Sequence, residues 1–150
     1  MPVTEERRFL AVMIGGKSDE DIVDFVKTLG GLEPVIDLVF ALMPQELDQS
    51  KAKDCVLGWE ITEGDQTIHY RTEIKNGELI ADKKSADDAT ATIVVTLPEF
   101  LRIIIEEVDA PKEYVLGKLK VRGDLVLAYQ VPLMFPFKEK EAAAAARAAG

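Results

Sequence analysis

The sequence predicts an α+β domain in which helices cover one face of a five-stranded, mostly antiparallel sheet. Three observations carry that expectation. Apolar residues recur at helical spacing up to residue 44, then at every second position from Cys55 to Thr96, and the two periods alternate again afterwards. Asn76-Gly77, the pair best suited to a tight two-residue hairpin, falls between two alternating segments. The chain has 150 residues, 47% of them apolar and 30% charged, which suits one compact unit with one core and rules out a disordered composition.

The elements follow in order. Ser18, with Asp21 three residues on, starts a helix in which Ile22, Val23, Phe25, Val26 and Leu29 share a face, and Gly30-Gly31 stop it. A second helix opens at Leu32 with Pro34 in its first turn, where a missing N–H is harmless. Its wide apolar face comprises Val35, Ile36, Leu38, Val39, Leu42 and Met43, and it is expected to end at Pro44. Cys55, Leu57, Trp59 and Ile61 then alternate up to a turn at Gly64-Asp65, and Ile68, Tyr70 and Ile74 alternate up to Asn76-Gly77. Leu79 and Ala81 mark a third strand, residues 82–88 a polar loop, and residues 91–96 a β-branched fourth strand, read as antiparallel like the others.

Thr96 and Glu99 predict a capping box, with Pro98 in the first turn of a helix whose Phe100, Leu101, Ile103, Ile104, Ile105 and Val108 exceed one buried stripe. Residues 118–123 alternate Leu119 and Val121 with Lys118, Lys120 and Arg122, giving a fifth strand with one wet face. Gly123-Asp124 opens the last helix, with Leu125, Leu127, Ala128, Tyr129 and Val131. Pro132 should bend or end it and release residues 133–137 as a mobile flap. The domain is therefore expected over residues 1–137. Residues 138–150, charge followed by alanine, add nothing large and apolar to a core and are expected to be disordered or a frayed helix.

Charge and composition exclude several functions. Eighteen basic against 27 acidic residues give a net charge of -9, which repels phosphate backbones and anionic lipid surfaces, so no nucleic-acid partner is expected. One cysteine and one histidine permit neither an internal disulfide nor a Cys/His metal site, and no metal or cofactor is predicted. The apolar run at residues 9–14, preceded by Glu5, Glu6, Arg7 and Arg8, is too short for a signal core or a membrane span, which points to a cytoplasmic protein without an integral membrane segment. Gly16-Lys17-Ser18 resembles the end of a phosphate-binding loop, but Ala11 stands where the earlier glycine is required, and Ser18 reads more simply as a helix cap. His69 lies on a polar strand face without a partnered nucleophile, Cys55 lacks a basic neighbour, and Glu106, Glu107 and Asp109 read as charges in a solvated loop. No catalytic constellation can be assembled, so a non-enzymatic protein is predicted.

What remains is a surplus of apolar helix faces competing for one side of the sheet. Either they pack solidly, as interiors normally do, or they surround a cavity. At this point the run Gly117-Lys118-Leu119-Lys120-Val121-Arg122-Gly123-Asp124-Leu125, continuing through Leu127-Ala128 to Met134-Phe135, resembles the C-terminal signature of the sterol carrier protein type two family. The resemblance extends upstream through Leu38-Val39-Phe40, Met43-Pro44, the Trp59 strand, the Asn76-Gly77 hairpin and the helix around Phe100, covering roughly residues 19–137. It implies helices enclosing an apolar tunnel that carries a hydrophobic small molecule (a sterol, fatty acid or acyl-CoA) without covalent chemistry. The lipid would then lie between Trp59, Ile61 and Tyr70 of the sheet and Val39, Met43, Phe100, Ile104, Leu125 and Tyr129 of the helices, with Met134 and Phe135 at the mouth. Because members of the family also serve as accessory domains of enzymes, the resemblance equally admits a dimerisation or substrate-presenting module, and a homodimer stays open. Pro132 within the last helix and the acidic balance depart from the family pattern.

Overall fold

The computed structural model describes residues 5–137, 142 and 145–147. The frayed or disordered tail expected over residues 138–150 lies largely outside the described residues; residues 142 and 145–147 are helical and exposed. The strands are β1 (Cys55–Glu63), β2 (Gln66–Lys75), β3 (Glu78–Asp82), β4 (Ala91–Thr96) and β5 (Leu119–Gly123), in the sheet order β3-β2-β1-β4-β5. The helices are α1 (Glu5–Ile14), α2 (Asp19–Thr28), α3 (Leu32–Glu46), α4 (Leu97–Ile104), α5 (Ala110–Val115) and α6 (Leu125–Gln130), the last running into a 3-10 turn, Val131–Met134. This is the α+β class read from the sequence, a sheet that is antiparallel except at one pair.

That pair is β1 with β4, which run parallel, Trp59 opposite Ile93. The chain leaves the edge strand β3, crosses the outer face of the sheet over residues 83–90, and re-enters beside β1 in the same direction. Gly58 leaves room for the crossing: a Cβ there would stand 2.7 Å from Thr92 Oγ1 of β4 and 3.2 Å from Ala86 Cβ of the crossing segment. Arg71 fastens the loop with two bonds, Nε to Asp88 Oδ1 at 2.9 Å and Nη2 to Asp88 Oδ2 at 2.7 Å. Asn76 and Gly77 both adopt positive φ, as a two-residue hairpin turn requires.

Ser18 caps α2, its Oγ accepting from the Asp21 N–H. Other local expectations change. The helix containing Pro44 continues through it to Glu46, giving up the one bond that the missing N–H would have made to the Phe40 carbonyl. The Thr96 side chain forms no cap bond; Glu99 instead turns inward and accepts from Arg102 Nη1 at 3.1 Å. Two helices appear that the pattern did not announce, α1 and α5. Residues 133–137 are tied down rather than free: the Asp48 N–H donates to the Met134 carbonyl (2.8 Å), Arg7 Nη2 to the Phe135 carbonyl (2.9 Å), and the Phe137 N–H to Glu106 Oε2 (2.9 Å). Pro132 therefore tightens the chain into a 3-10 turn without releasing it.

The buried apolar residues form one cluster between the helices and the inner sheet face, where Leu57, Trp59, Ile61, Tyr70, Ile74, Ile93 and Val95 point. At its centre Phe40 of α3 stacks on Tyr70 with centroids 4.1 Å apart and on Phe100 at 5.8 Å, and meets Trp59 edge-on at 5.6 Å.

Candidate functional site

The helical layer is divided. α3 lies over the β2–β3 side of the sheet, while α5 packs on β5 and α6 on β4 and β5. Between them opens a cavity of about 720 Å³. Its floor is Trp59, Ile93, Val95, Leu119 and Val121 of the sheet with Phe100, Ile103 and Ile104 of α4. One wall is Val35, Leu38, Val39, Leu42 and Met43, supported by Phe9 and Leu10 of α1, Phe25 of α2 and Leu29 just after it; the other is Tyr114 and Val115 of α5, Leu125, Ala128 and Tyr129 of α6, and Phe135.

The sequence of α3 explains why a cavity forms. Positions 35, 38, 39, 42 and 43 follow i, i+3, i+4, i+7, i+8 and make one stripe, while Leu32, Ile36 and Phe40 make a second that is buried on the sheet. A helix with two apolar faces must either be buried on both or border a hollow. The rim stays apolar and open to solvent, with Val115 81% and Tyr129 58% exposed beside Leu38 and Phe9.

The charged lining residues are Glu5, Glu6, Arg7, Glu46 and Glu106. Arg7 organises this end. It is 7% exposed, and its guanidinium donates to Glu46 Oε2 (2.8 Å), the Ile104 carbonyl (2.7 Å) and the Phe135 carbonyl (2.9 Å) while lying 4.7 Å over the Phe137 ring. One side chain thus joins α1, the end of α3, the end of α4 and the C-terminal segment. Sequence reading missed it. Arg7, Leu10 and Ile14, all buried, keep helical spacing, and an arginine leading that stripe was the available signal.

Of the side chains expected to contact a ligand, Val39, Met43, Trp59, Phe100, Ile104, Leu125, Tyr129 and Phe135 line the cavity. Ile61, Tyr70 and Met134 do not. Tyr70 is covered by Phe40, and its hydroxyl donates to Asp37 Oδ1 at 2.6 Å; burial, and then Asp37, hold the phenol above its usual range. Ile61 is fully buried in the core, and Met134 points inward where its carbonyl receives Asp48.

Burial, and then the neighbouring Asp54, push the Cys55 thiol up, away from the reactive thiolate. His69 pairs across the strands with Glu60 on the outer sheet face, away from the cavity. Glu106 and Glu107 are not idle: they accept backbone N–H bonds from Phe137 and Gly16. Among the described residues no helix is long and apolar enough to cross a membrane.

Residues 33–135 match the family described as the alkyl sulfatase C-terminal domain. The chain belongs to that family. A solved structure of the stereoselective inverting sec-alkylsulfatase Pisa1 from Pseudomonas sp. is 28% identical to it with a TM-score of 0.58, the alignment covering 71% of this chain and 17% of that one. The chain therefore spans a small part of that sulfatase. Sterol Carrier Protein 2 from Yarrowia lipolytica (apo form) is 17% identical with a TM-score of 0.55, covering 65% of this chain and 86% of that one. Palmitated SCP2L2 from Aedes aegypti is 18% identical with a TM-score of 0.55, covering 71% and 95%. At these identities the likeness shows a shared fold, and the resemblance to sterol carrier protein type two read from the sequence is that fold. No curated protein matches the sequence.

Proposed function

We propose that this alkyl sulfatase C-terminal domain is a non-enzymatic module that houses the hydrocarbon chain of a single amphiphile in its cavity. The observation that carries the reading is the cavity itself: about 720 Å³, within the size range of ligand pockets, lined mostly by aliphatic and aromatic side chains, with Glu5, Glu6, Arg7, Glu46 and Glu106 the charged ones among the described residues. No covalent step is involved. Burying about ten methylenes at about 0.8 kcal/mol each is worth on the order of 8 kcal/mol, and association and ordering costs reduce this to roughly micromolar affinity. The palmitated neighbour of the same fold, and a family named for enzymes of alkyl substrates, favour a chain-like guest over a compact one.

A second reading has its own support. Because the family is that of a sulfatase C-terminal region and the match covers 17% of the sulfatase chain, the domain could serve as an accessory that presents an alkyl substrate to an enzyme or pairs with a second copy, using the exposed rim of α5 and α6. Native mass spectrometry of the freshly purified protein, followed by organic extraction, separates the two. One amphiphile per chain is the expected result. A mass of two chains with no extractable lipid, and no uptake of added alkyl compounds, would favour the accessory reading and overturn the first.

A further inference from the structure

Glu99 of α4 and Glu113 of α5 are 7% and 5% exposed, and the Oε2 atom of each is buried with no donor from any other described residue. Glu113 is among the groups that act on the Glu99 carboxyl. Two buried carboxylates whose oxygens lack donors carry two negative charges at high cost, so the closed arrangement favours a proton on one of them. Charges around the pair favour keeping it. Arg102 faces Glu99 Oε1 at 3.1 Å, but Asp19 from the first turn of α2 and Glu107 from the turn after α4 also claim that guanidinium. Lys118, after α5, stands 3.9 Å from Glu113 Oε2 and is itself exposed. Four carboxylates thus share two cations. Burial first, and then Glu113, raise the Glu99 carboxyl above its ordinary range against the opposing pull of Arg102.

The placement gives this contact a consequence. α5 is one and a half turns long, and while Glu113 faces inward, Tyr114 and Val115 form the lip of the cavity. Together with the packing of α5 on β5, the inward side chain of Glu113 holds the lip in place. We propose that Glu99 and Glu113 are a proton-held latch between α4 and α5, closed when they share a proton and opened by its loss, so that rising pH frees the lip of the cavity. The sign follows from linkage: a carboxyl raised in the closed form stabilises that form at low pH, and the contribution is lost as pH rises through the raised value. The role of the latch in ligand release rests on the proposed function; the movement of α5 does not.

The test uses the full chain between about pH 4.5 and about pH 8, a range starting near the ordinary carboxyl value. Amide hydrogen exchange of residues 110–116, corrected for intrinsic rates, should show α5 opening about tenfold more often for each pH unit by which closure lifts the shared carboxyl. The dissociation rate of Nile red, an uncharged fluorescent probe, should rise over the same interval. Glu113→Gln supplies a permanent donor to Glu99 and should flatten both profiles; Glu99→Gln serves the same purpose if that variant does not fold. Exchange at α5 that is independent of pH in the native protein, or equally pH-dependent in the glutamine variants, would overturn the latch. Failure of Nile red to bind at any pH would count against the cavity as a binding site and leave the exchange result to decide the latch.

Discussion

Replacing Arg7 by leucine removes a guanidinium that donates to one carboxylate and two carbonyls at 2.7 to 2.9 Å. Both side chains of the ion pair are almost fully buried, at 7% and 8% exposure, so the Glu46 carboxylate would lose the Arg7 charge without gaining bulk water. Breaking a buried pair from one side costs about 3 to 5 kcal/mol, against total stabilities of roughly 5 to 15 kcal/mol for a domain. The paired replacement Arg7→Leu with Glu46→Leu removes both charges and should recover most of that loss, leaving the cost of two carbonyls that must find water. Urea denaturation measures this directly: the midpoint should fall sharply in each single variant at constant slope, and a double-mutant cycle should return a large favourable coupling between the two positions. A loss below about 1 kcal/mol in Arg7→Leu, the level of an exposed ion pair, would refute the view that this residue ties four segments together at the end of the cavity.

Two further outcomes can be checked on the same material. Ala128 lines the cavity from α6, and Ala128→Trp should fill room for two or more methylenes, weakening an alkyl ligand about tenfold or more while leaving the melting temperature nearly unchanged; equal affinity by fluorescence titration would place the ligand elsewhere. The bidentate bond from Arg71 holds the Asp88 carboxyl down at about 2, below its ordinary 3.8, so its contribution is present above about pH 4 and lost as pH falls towards 2. Hydrogen exchange of residues 83–90 should therefore quicken over that acid interval, and Asp88→Asn should show the quickened rate already at neutral pH.

The strands were legible because their signal is local. Leu57, Trp59 and Ile61 alternate along one strand, and Asn76-Gly77 dictates the turn that pairs its successors. The parallel placement of β4 was not legible, since it depends on a crossing over Gly58 and on Arg71 reaching Asp88, contacts between residues distant in sequence. α5 is too short to display a period, and α1 conceals its period behind a buried arginine. The same distinction governs the cavity. The two stripes of α3 can be read from spacing alone, as can the surplus on α4. Which part of the inner sheet face is open cannot be: Trp59 and Tyr70 are cross-strand neighbours with equal claims, and Phe40 settles the matter by stacking on Tyr70.

The function of the domain turns on whether hydrocarbon is what fills the space between α3 and α6. Isothermal titration with n-alkanols of increasing length tests it most directly, because each methylene that enters an apolar cavity adds about 0.8 kcal/mol, or roughly fourfold in affinity. We predict a steady gain per carbon that stops once the cavity is full, accompanied by a negative heat-capacity change. Affinities indifferent to chain length, or no binding across the series, would contradict it.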